Sequence, residues 1–206
     1  GQTVLAENKV GAGGAIAMQQ LKGMRGNAHW LGTFHTGAIA GAVTGLIRAD
    51  VRDFTPVAML VEETSLVAVR ADSPLKDGKE LVATLKADPT RLRIAVAPAL
   101  GQSTHMALAK PLQAAGVAID KLTIAPFRSS GESVAALLGG HVDVVSATAP
   151  VILPQVQAGK LRILASAAAE HGSGALAGVR TWREQGVPAD YVTYNGVMLP
   201  PGVNAE

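Results

Sequence analysis

The sequence predicts an α/β fold in which largely parallel sheets are flanked by helices. Short apolar runs rich in β-branched residues alternate with segments that have helical apolar spacing. Glycines mark several of the joins between them. Of the 206 residues, 48% are hydrophobic and 17% are charged, a balance typical of a chain with a packed core. The length fits one large domain or two small lobes.

Composition and charge exclude several classes of function. Eighteen basic and sixteen acidic residues give a formal charge of +2, and aromatic residues make up only 3%. The basic residues are scattered, so no nucleic-acid partner is expected. No apolar run is long enough to span a bilayer. Cysteine is absent, and the five histidines show no metal-ligand spacing, so we predict neither a metal nor another cofactor.

The first third of the chain predicts four strands and two helices. The strands are β-branched or apolar runs, and the helices are alanine-rich segments with apolar residues on one side. The last two strands precede a loop that begins at Ser73-Pro74. The predicted strands are 3–6, 28–33, 56–61 and 65–70, and the predicted helices are 15–21 and 38–47.

From residue 78 onwards the alternation becomes regular. Leu81, Val82 and Leu85 define the apolar side of the first helix in this part, which Asp88-Pro89 ends. Pro111 lies inside another predicted helix and should kink or split it. The predicted helices are 78–86, 103–115, 132–138, 149–158 and 181–185, and the strands are 92–97, 122–125, 142–146, 161–165 and 192–199. Such alternation predicts parallel strands.

A glycine-rich join at Gly11–Gly14 separates the first predicted strand from the first helix. Glycines allow a sharp turn and leave room for a ligand, and a helix start offers free N–H groups and a positive dipole end. The join therefore predicts an anion site. The alternative is a tight turn without a ligand, because the spacing matches neither common nucleotide-binding motif.

A second join, residues 97–105, follows the predicted strand 92–97. Ser103 and Thr104 are residue types that cap helices, and their hydroxyls can bind either backbone N–H groups or a ligand. In open α/β sheets, ligands bind at the carboxyl ends of strands. The polar turn at residues 33–37 occupies the same kind of position. An ordinary helix cap remains the alternative at Ser103 and Thr104.

Ser103 and His105 also allow an enzymatic interpretation, in which a serine nucleophile is paired with a histidine base. The G-x-S-x-G motif is missing, however, and no third residue at a recognisable spacing would orient the base. We therefore predict a binding protein rather than an enzyme, with His105 as an orienting or packing residue.

Several motifs resemble those of one family when taken in order. The segment Gln2-x-Val4…Glu7-Asn8-Lys9-x-Gly11-Ala12-Gly13-Gly14 is similar to the "G-Q-x-V-x-x-E-N-[RK]-x-G-A-G-G" signature of the substrate-binding proteins of tripartite tricarboxylate transporters, also called the Bug family. Further similar segments, in chain order, are Asp53–Val57, Gly101–His105, Leu137–Asp143, Ala158–Arg162, Trp182–Gly186 and Pro200–Gly202.

This resemblance implies a periplasmic receptor of the two-lobed, type II binding-protein class. Its ligand would be a small organic carboxylate held between the lobes for delivery to membrane permease subunits; presentation to a sensor kinase is the alternative. Lobe 1 would comprise residues 1–66 and 195–206, and lobe 2 residues 67–194, with 65–70 and 192–197 as the crossings. The family usually has more chain at both ends, so we expect a truncated chain.

The predicted ligand contacts come from loops of both lobes. Main-chain amides and hydroxyls would hold the carboxylate, because the main loops contain no arginine. Arg128 is the nearest exception, and no acidic residue occupies the Ser146 segment. We therefore predict a plain carboxylate ligand rather than an amino acid. The predicted contacts are Gly11, Ala12, Gly13, Gly14, Thr33, Thr36 and Gly37 on lobe 1, and Gly101, Gln102, Ser103, Thr104, Arg128 and Ser146 on lobe 2.

Overall fold

The computed structural model describes residues 2–9, 14–43, 45 and 47–204. The chain divides into two compact units: unit 1 comprises Gly1–Glu62 and Tyr194–Glu206, and unit 2 comprises Glu63–Thr193. The described residues form six α-helices and seven strands. The helices are α1 Ala15–Gly23, α2 Gly37–Val43, α3 Gly78–Ala87, α4 Ser103–Ala114, α5 Ser130–Leu138 and α6 Ala149–Gln157. The strands are β1 Gly32–His35, β2 Thr55–Arg70, β3 Arg93–Val96, β4 Thr123–Pro126, β5 Val144–Thr148, β6 Leu161–Ser166 and β7 Val192–Leu199.

Unit 1 is built on antiparallel strands. β1 pairs with β7, so that Thr33 lies opposite Val197, and β7 also neighbours β2. A Cβ atom at Gly196 would lie 2.5 Å from the carbonyl oxygen of Ala58, so this close approach requires glycine. The apolar side of α1 packs with Phe54 and Met198 into a small core.

Unit 2 contains a five-stranded mixed sheet in the order β6-β2-β5-β3-β4. β3 is parallel to β4 and to β5, as predicted for strands joined through helices. β2 lies between β5 and β6 and runs antiparallel to both. The sheet is therefore not parallel throughout, because β2 enters it from the opposite direction.

Each face of β2 in unit 2 contributes to a different core. Val67 and Val69 belong to the cluster that contains Leu108 of α4. Leu66 and Ala68 belong to the cluster on the other side of the sheet, which also contains residues of α5 and α6. All four β2 residues are fully buried. A strand that is buried on both faces has a continuous run of apolar residues in its sequence.

β6 contains one extra residue relative to β2. The pairing steps from Val67 opposite Ala165 to Ala68 opposite Ile163, so Leu164 forms a β-bulge. The carbonyl oxygen of Leu164 accepts a hydrogen bond from Nε2 of Gln185 over 2.9 Å. Oε1 of the same side chain accepts one from the N–H of Gly78 over 2.8 Å. Gln185 therefore joins the bulge to the start of α3.

The elements predicted from residue 78 onwards are confirmed with ends shifted by a few residues, except that 181–185 contains only the 3₁₀ turn Arg183–Gln185. Two predictions are wrong, and of the two effects predicted for Pro111 the split is absent. Residues 3–6 form no strand, and Val4 and Leu5 are 90% and 82% exposed, because a strand requires a hydrogen-bonding neighbour and no described residue supplies one. The strands predicted at 56–61 and 65–70 form one strand, since Glu62-Glu63-Thr64 contains no turn-forming residue. α4 continues through Pro111 without splitting.

Candidate functional site

Three helices of unit 2 begin at one edge of the sheet. β3, β4 and β5 are parallel, so their carboxyl ends share an edge, and α4, α5 and α6 follow them in turn. Helix N-termini carry a partial positive charge and free N–H groups. We call this the carboxyl edge, and it is the place where an α/β sheet binds ligands.

Hydrogen bonds hold the join between β3 and α4 in one conformation. Thr104 Oγ1 accepts a hydrogen bond from the N–H of Ala97 over 3.0 Å and donates one to the carbonyl of the same residue. Gly101 has a φ of +78°, in the left-handed region that favours glycine. Its N–H donates to Nδ1 of His105 over 2.8 Å. The loop is therefore fixed by its own side chains.

The first turn of α4 leaves main-chain donors free. Gln102 occupies the N-cap position, and its side chain makes no capping bond. The N–H groups of Ser103 and Thr104 have no acceptor among the described residues, since the N-cap side chain does not reach them. Ser103 and Thr104 are therefore not caps, as the alternative interpretation had them, but the first residues of the helix. Their amides can receive an anion.

Gln102 is buried without a hydrogen-bonding partner. It is only 1% exposed, and neither Oε1 nor Nε2 has a partner within the described part of the chain. A buried polar group left unpaired costs about 1–3 kcal/mol. The Gln102 amide is therefore a candidate to pair with a group from outside the protein, such as a ligand or an ordered water.

Ser146 and Thr104 use their hydroxyl groups within unit 2. Ser146 is fully buried, and its Oγ donates to the carbonyl oxygen of Thr104 over 2.7 Å. Both hydroxyls therefore shape the β3–α4 join instead of being free for a ligand. The Ser103 hydroxyl differs, because it has no partner among the described side chains and main-chain groups.

The geometry does not pair Ser103 with His105 as nucleophile and base. Nδ1 of His105 already accepts the Gly101 N–H, and no described hydrogen bond joins His105 to Ser103. Burial also lowers the pKa of His105 from its ordinary value of 6.5, which favours the neutral ring. His105 is thus an orienting residue of this loop.

Arg128 is exposed in the segment between β4 and α5. Ser129 caps α5 by accepting the Glu132 N–H over 3.2 Å, and a Glu132 carboxylate oxygen accepts the Arg128 N–H over 3.2 Å. These two bonds occupy the N–H groups of Glu132 and Arg128, whereas the N–H groups of Ser130 and Gly131 have no acceptor among the described residues. The Arg128 guanidinium itself has no acceptor among residues that the structure describes.

Unit 1 brings the start of α1 close to the end of β1. Gly14 precedes α1 with a φ of +96°, and a Cβ atom there would lie 3.7 Å from Nε2 of His35. Thr36 Oγ1 accepts the Tyr194 N–H over 2.8 Å, so this hydroxyl is also used within its unit. Thr33 is exposed on β1, and Gly37 is buried at the start of α2. The predicted contacts Gly11, Ala12 and Gly13 lie outside the described residues.

Two hydroxyls at the carboxyl edge escaped the sequence analysis. Ser65 is 2% exposed and lies opposite Thr148 in the pairing of β2 with β5. Neither hydroxyl has a hydrogen-bonding partner among the described residues. The sequence carried no signal for them, because their proximity depends on the register of two strands about 80 residues apart in the chain.

A cavity of about 710 Å³ lies at the opposite edge of the sheet, near Leu92 and Val142. Among its lining residues, Arg70 is paired with Asp72, and Asp143, just before β5, is paired with Arg93. The cavity lies at the amino ends of the parallel strands, whereas α/β sheets bind ligands at the carboxyl ends. We therefore place the candidate site at the carboxyl edge, where polar groups are unpaired, and not in this cavity.

The described residues contain no group of three or more histidine, aspartate or glutamate side chains arranged to hold a metal ion. None of their helices has the length and apolar character needed to cross a membrane.

Comparisons with known proteins point to one family. The family model described as "Tripartite tricarboxylate transporter family receptor" matches residues 1–206. The chain is 27% identical to the protein BugT of Bordetella pertussis over 211 residues. The matched region covers 100% of this chain and 63% of BugT. The chain spans 60–63% of the length of such curated relatives.

Solved structures agree in fold. The malate-bound MatC of Rhodopseudomonas palustris is 29% identical, with a TM-score of 0.79, over 96% of this chain and 67% of MatC. A structure described as a periplasmic transporter is 27% identical, with a TM-score of 0.82, over 96% of this chain and 66% of the other. These similarities confirm the predicted α/β fold class of the periplasmic-binding-protein type.

Proposed function

Because the chain belongs to the receptor family of the tripartite tricarboxylate transporters, we propose that it is a solute-binding receptor that captures a small organic carboxylate in the periplasm. Membrane permease subunits would then take up the ligand. The similarity to malate-bound MatC supports the ligand class, and the similarity to a protein described as a periplasmic transporter supports the location.

One observation of the structure carries the proposal. The N–H groups of Ser103 and Thr104 are free at the start of α4, and the buried amide of Gln102 lies beside them unpaired. One ligand carboxylate would accept both N–H groups. Hydrogen bonds to a charged group contribute about 1.5–3 kcal/mol each, and the helix dipole adds about 0.3–1 kcal/mol. Micromolar affinity requires about 8 kcal/mol, so several contacts must act together.

The other predicted contacts fall into two groups: those free to bind a ligand, and those whose side chains already make hydrogen bonds within the protein. Gly101, Ser103 and the main chain of Thr104 would face the carboxylate, whereas the Thr104 and Ser146 hydroxyls would set the shape of the loop. Arg128 would contribute a charge from the neighbouring helix start. In unit 1, we propose main-chain contacts from Gly11, Ala12, Gly13, Gly14 and Gly37, with Thr33 and Thr36 beside them.

We take the two compact units as the two lobes of the receptor. Their boundaries, after Glu62 and before Tyr194, lie within a few residues of the predicted ones. We propose permease subunits as the partner, because the matching family is named for a transporter. A pull-down with membrane permease subunits tests this partner, and capture of a sensor kinase instead would contradict it.

A proline at position 103 tests the amide directly. Position 103 is the first residue of α4, where proline is tolerated because its φ suits the helix. The preceding Gln102 has a φ of −90° and a ψ of −176°, which is compatible with a following proline. Ser103→Pro therefore removes one N–H without breaking the helix, whereas Ser103→Ala keeps the N–H and removes the hydroxyl.

Calorimetric titration with succinate, malate and citrate gives the readout. We expect Ser103→Pro to weaken binding by about tenfold or more, the loss that corresponds to one charge-assisted hydrogen bond, with an unchanged melting temperature. Ser130→Pro, at the first position of α5, is the matched control and should bind as the unmodified protein does. Equal affinity of Ser103→Pro and Ser103→Ala would refute the role of the amide.

A further inference from the structure

We propose that Ser65 and Thr148 form a hydroxyl-lined subsite beside the start of α4, and that this subsite binds a hydroxyl group of the ligand. The preferred ligands are then hydroxy-carboxylates. This inference rests on the proposed function and narrows its ligand class.

The strand register places both hydroxyls on one face of the sheet. Ser65 of β2 lies directly opposite Thr148 of β5, and Val67 lies opposite Ser146. Directly opposite residues of antiparallel strands point to the same face, with Cβ atoms about 4.5–5.5 Å apart. Alternation along β2 places Ser65 on the face of Val67, which packs with α4.

The Ser146 hydroxyl connects this face to the start of α4. Ser146 lies two residues before Thr148, so both side chains share the face. Ser146 Oγ reaches the carbonyl oxygen of Thr104 over 2.7 Å. Ser65 and Thr148 continue the same row towards the carboxyl edge, where β5 ends and α6 begins. Ser146, Thr148 and Ser65 therefore lie on one face of the sheet, beside the first turn of α4.

The two hydroxyls are free, although Ser65 is buried and Thr148 is half-buried. Ser65 is only 2% exposed, and no described group accepts or donates a hydrogen bond to its Oγ. Thr148 occupies the N-cap position of α6 and makes no side-chain capping bond, although capping is the usual role of threonine there. Together with the unpaired amide of Gln102, these groups form a neutral polar lining.

The chemistry of this lining favours a hydroxyl. Serine, threonine and glutamine side chains each donate and accept hydrogen bonds, and a ligand hydroxyl does the same. A second carboxylate only accepts, which would leave the Gln102 oxygen unpaired. An ammonium group only donates, and beside three neutral side chains its charge would be poorly compensated. Glu63 is the nearest acidic residue along β2, so an amino analogue belongs in the test.

Succinate, malate and aspartate form the test series, because they share a four-carbon dicarboxylate backbone and differ in one substituent. Titration calorimetry on the unmodified protein should show malate binding about tenfold more tightly than succinate, the ratio that corresponds to one neutral hydrogen bond. Propionate and lactate form a second matched pair. The variants Ser65→Ala and Thr148→Val should bring the malate-to-succinate affinity ratio close to one.

Thr64→Val is the matched control. Thr64 adjoins Ser65, its buried hydroxyl is also unpaired, and alternation places it on the other face of β2. Its substitution should leave the ratio unchanged. Thr148→Ser, which keeps a hydroxyl, should retain the preference for malate and serves if Thr148→Val fails to fold.

The outcomes separate the two proposals. Succinate binding without a preference for malate would overturn the subsite and leave the receptor function intact, as would a preference for aspartate. A malate preference that survives both Ser65→Ala and Thr148→Val would also overturn it. Failure of every carboxylate to bind would overturn the receptor function together with the subsite.

Discussion

Thr104 Oγ1 hydrogen-bonds both the N–H and the carbonyl oxygen of Ala97, seven residues earlier in the chain. One hydroxyl thereby closes the loop between the end of β3 and the first turn of α4. The N–H groups of Ser103 and Thr104 in that turn stay free, because the N-cap residue Gln102 makes no side-chain capping bond. The β3–α4 join combines a rigid loop with unoccupied donors.

Thr104→Val should destabilise the protein and weaken binding. The substitution leaves the buried N–H of Ala97 unpaired, which costs about 1–3 kcal/mol. Urea denaturation should show this loss in the free energy of unfolding. Thr104→Ser keeps the hydroxyl and should recover most of it. A Thr104→Val protein as stable as the original would show that the bond to Ala97 contributes nothing.

Gln102→Leu should separate stability from binding. The amide is buried and unpaired in the described structure, so replacing it with an apolar side chain of similar size should leave the melting temperature unchanged or raise it. Affinity for carboxylates should fall about tenfold, since the ligand loses a hydrogen-bonding partner. A lower melting temperature together with unchanged affinity would contradict this prediction.

His105→Leu should weaken binding more than His105→Asn. The asparagine side-chain oxygen can take the place of Nδ1 and accept the Gly101 N–H, whereas leucine cannot. We expect His105→Leu to lose about tenfold in carboxylate affinity, the equivalent of one hydrogen bond, and His105→Asn to lose little. His141→Leu, at an exposed histidine before β5, is the control. Equal losses in both His105 variants would exclude a role for the Gly101 bond.

Histidine titration by NMR should show opposite pKa shifts at two positions. Burial lowers the pKa of His105 below 6.5. Hydrogen bonds to the carbonyl of Ala177 and to Glu184 raise the pKa of His171 above 6.5. The stabilising contribution of His105 is therefore complete above about pH 6.5 and declines as the pH falls. That of His171 is complete below about pH 6.5 and is lost as the pH rises through its folded-state pKa. Reversed midpoints would contradict both assignments.

Gln185→Leu should be strongly destabilising. It removes the partners of two main-chain groups, the Leu164 carbonyl and the Gly78 N–H, at a cost of about 1–3 kcal/mol each. The free energy of unfolding from urea titration is the readout. Gln155→Leu, on a partly buried α6 side chain with no described side-chain hydrogen bond, is the control. A change below about 1 kcal/mol would show that water replaces both partners.

The sequence predicted the order and type of nearly all elements of unit 2. Helix 78–86 and strand 161–165, for example, follow from apolar spacing and flanking turn residues alone. It failed where pairing decides the outcome. Residues 3–6 have the composition of a strand, yet no described neighbour pairs with them. The antiparallel direction of β2 could not be predicted either, because the order of strands in the chain does not determine their order in the sheet.

The sequence indicated a candidate site that the structure places at the carboxyl edge, and the site itself stays a prediction. The join at Gly101–Thr104 was recognised from a strand followed by glycine and capping residues. The sequence could not show which atoms are free to bind a ligand, because the hydroxyls of Thr104 and Ser146 make hydrogen bonds that depend on the tertiary structure. Ser65 was missed for the same reason: its partner Thr148 is set by strand pairing and not by local sequence.

The bulge at Leu164 determines the register of β2 against β6 as well as the path of β6. Since side chains alternate along a strand, a slip of β2 by one residue would exchange its two faces and move Ser65 away from α4. The extra residue, anchored by Gln185, gives β2 one permitted alignment with its neighbour on that side. An insertion or deletion in the middle of β6 should therefore alter ligand choice without touching any residue near the ligand.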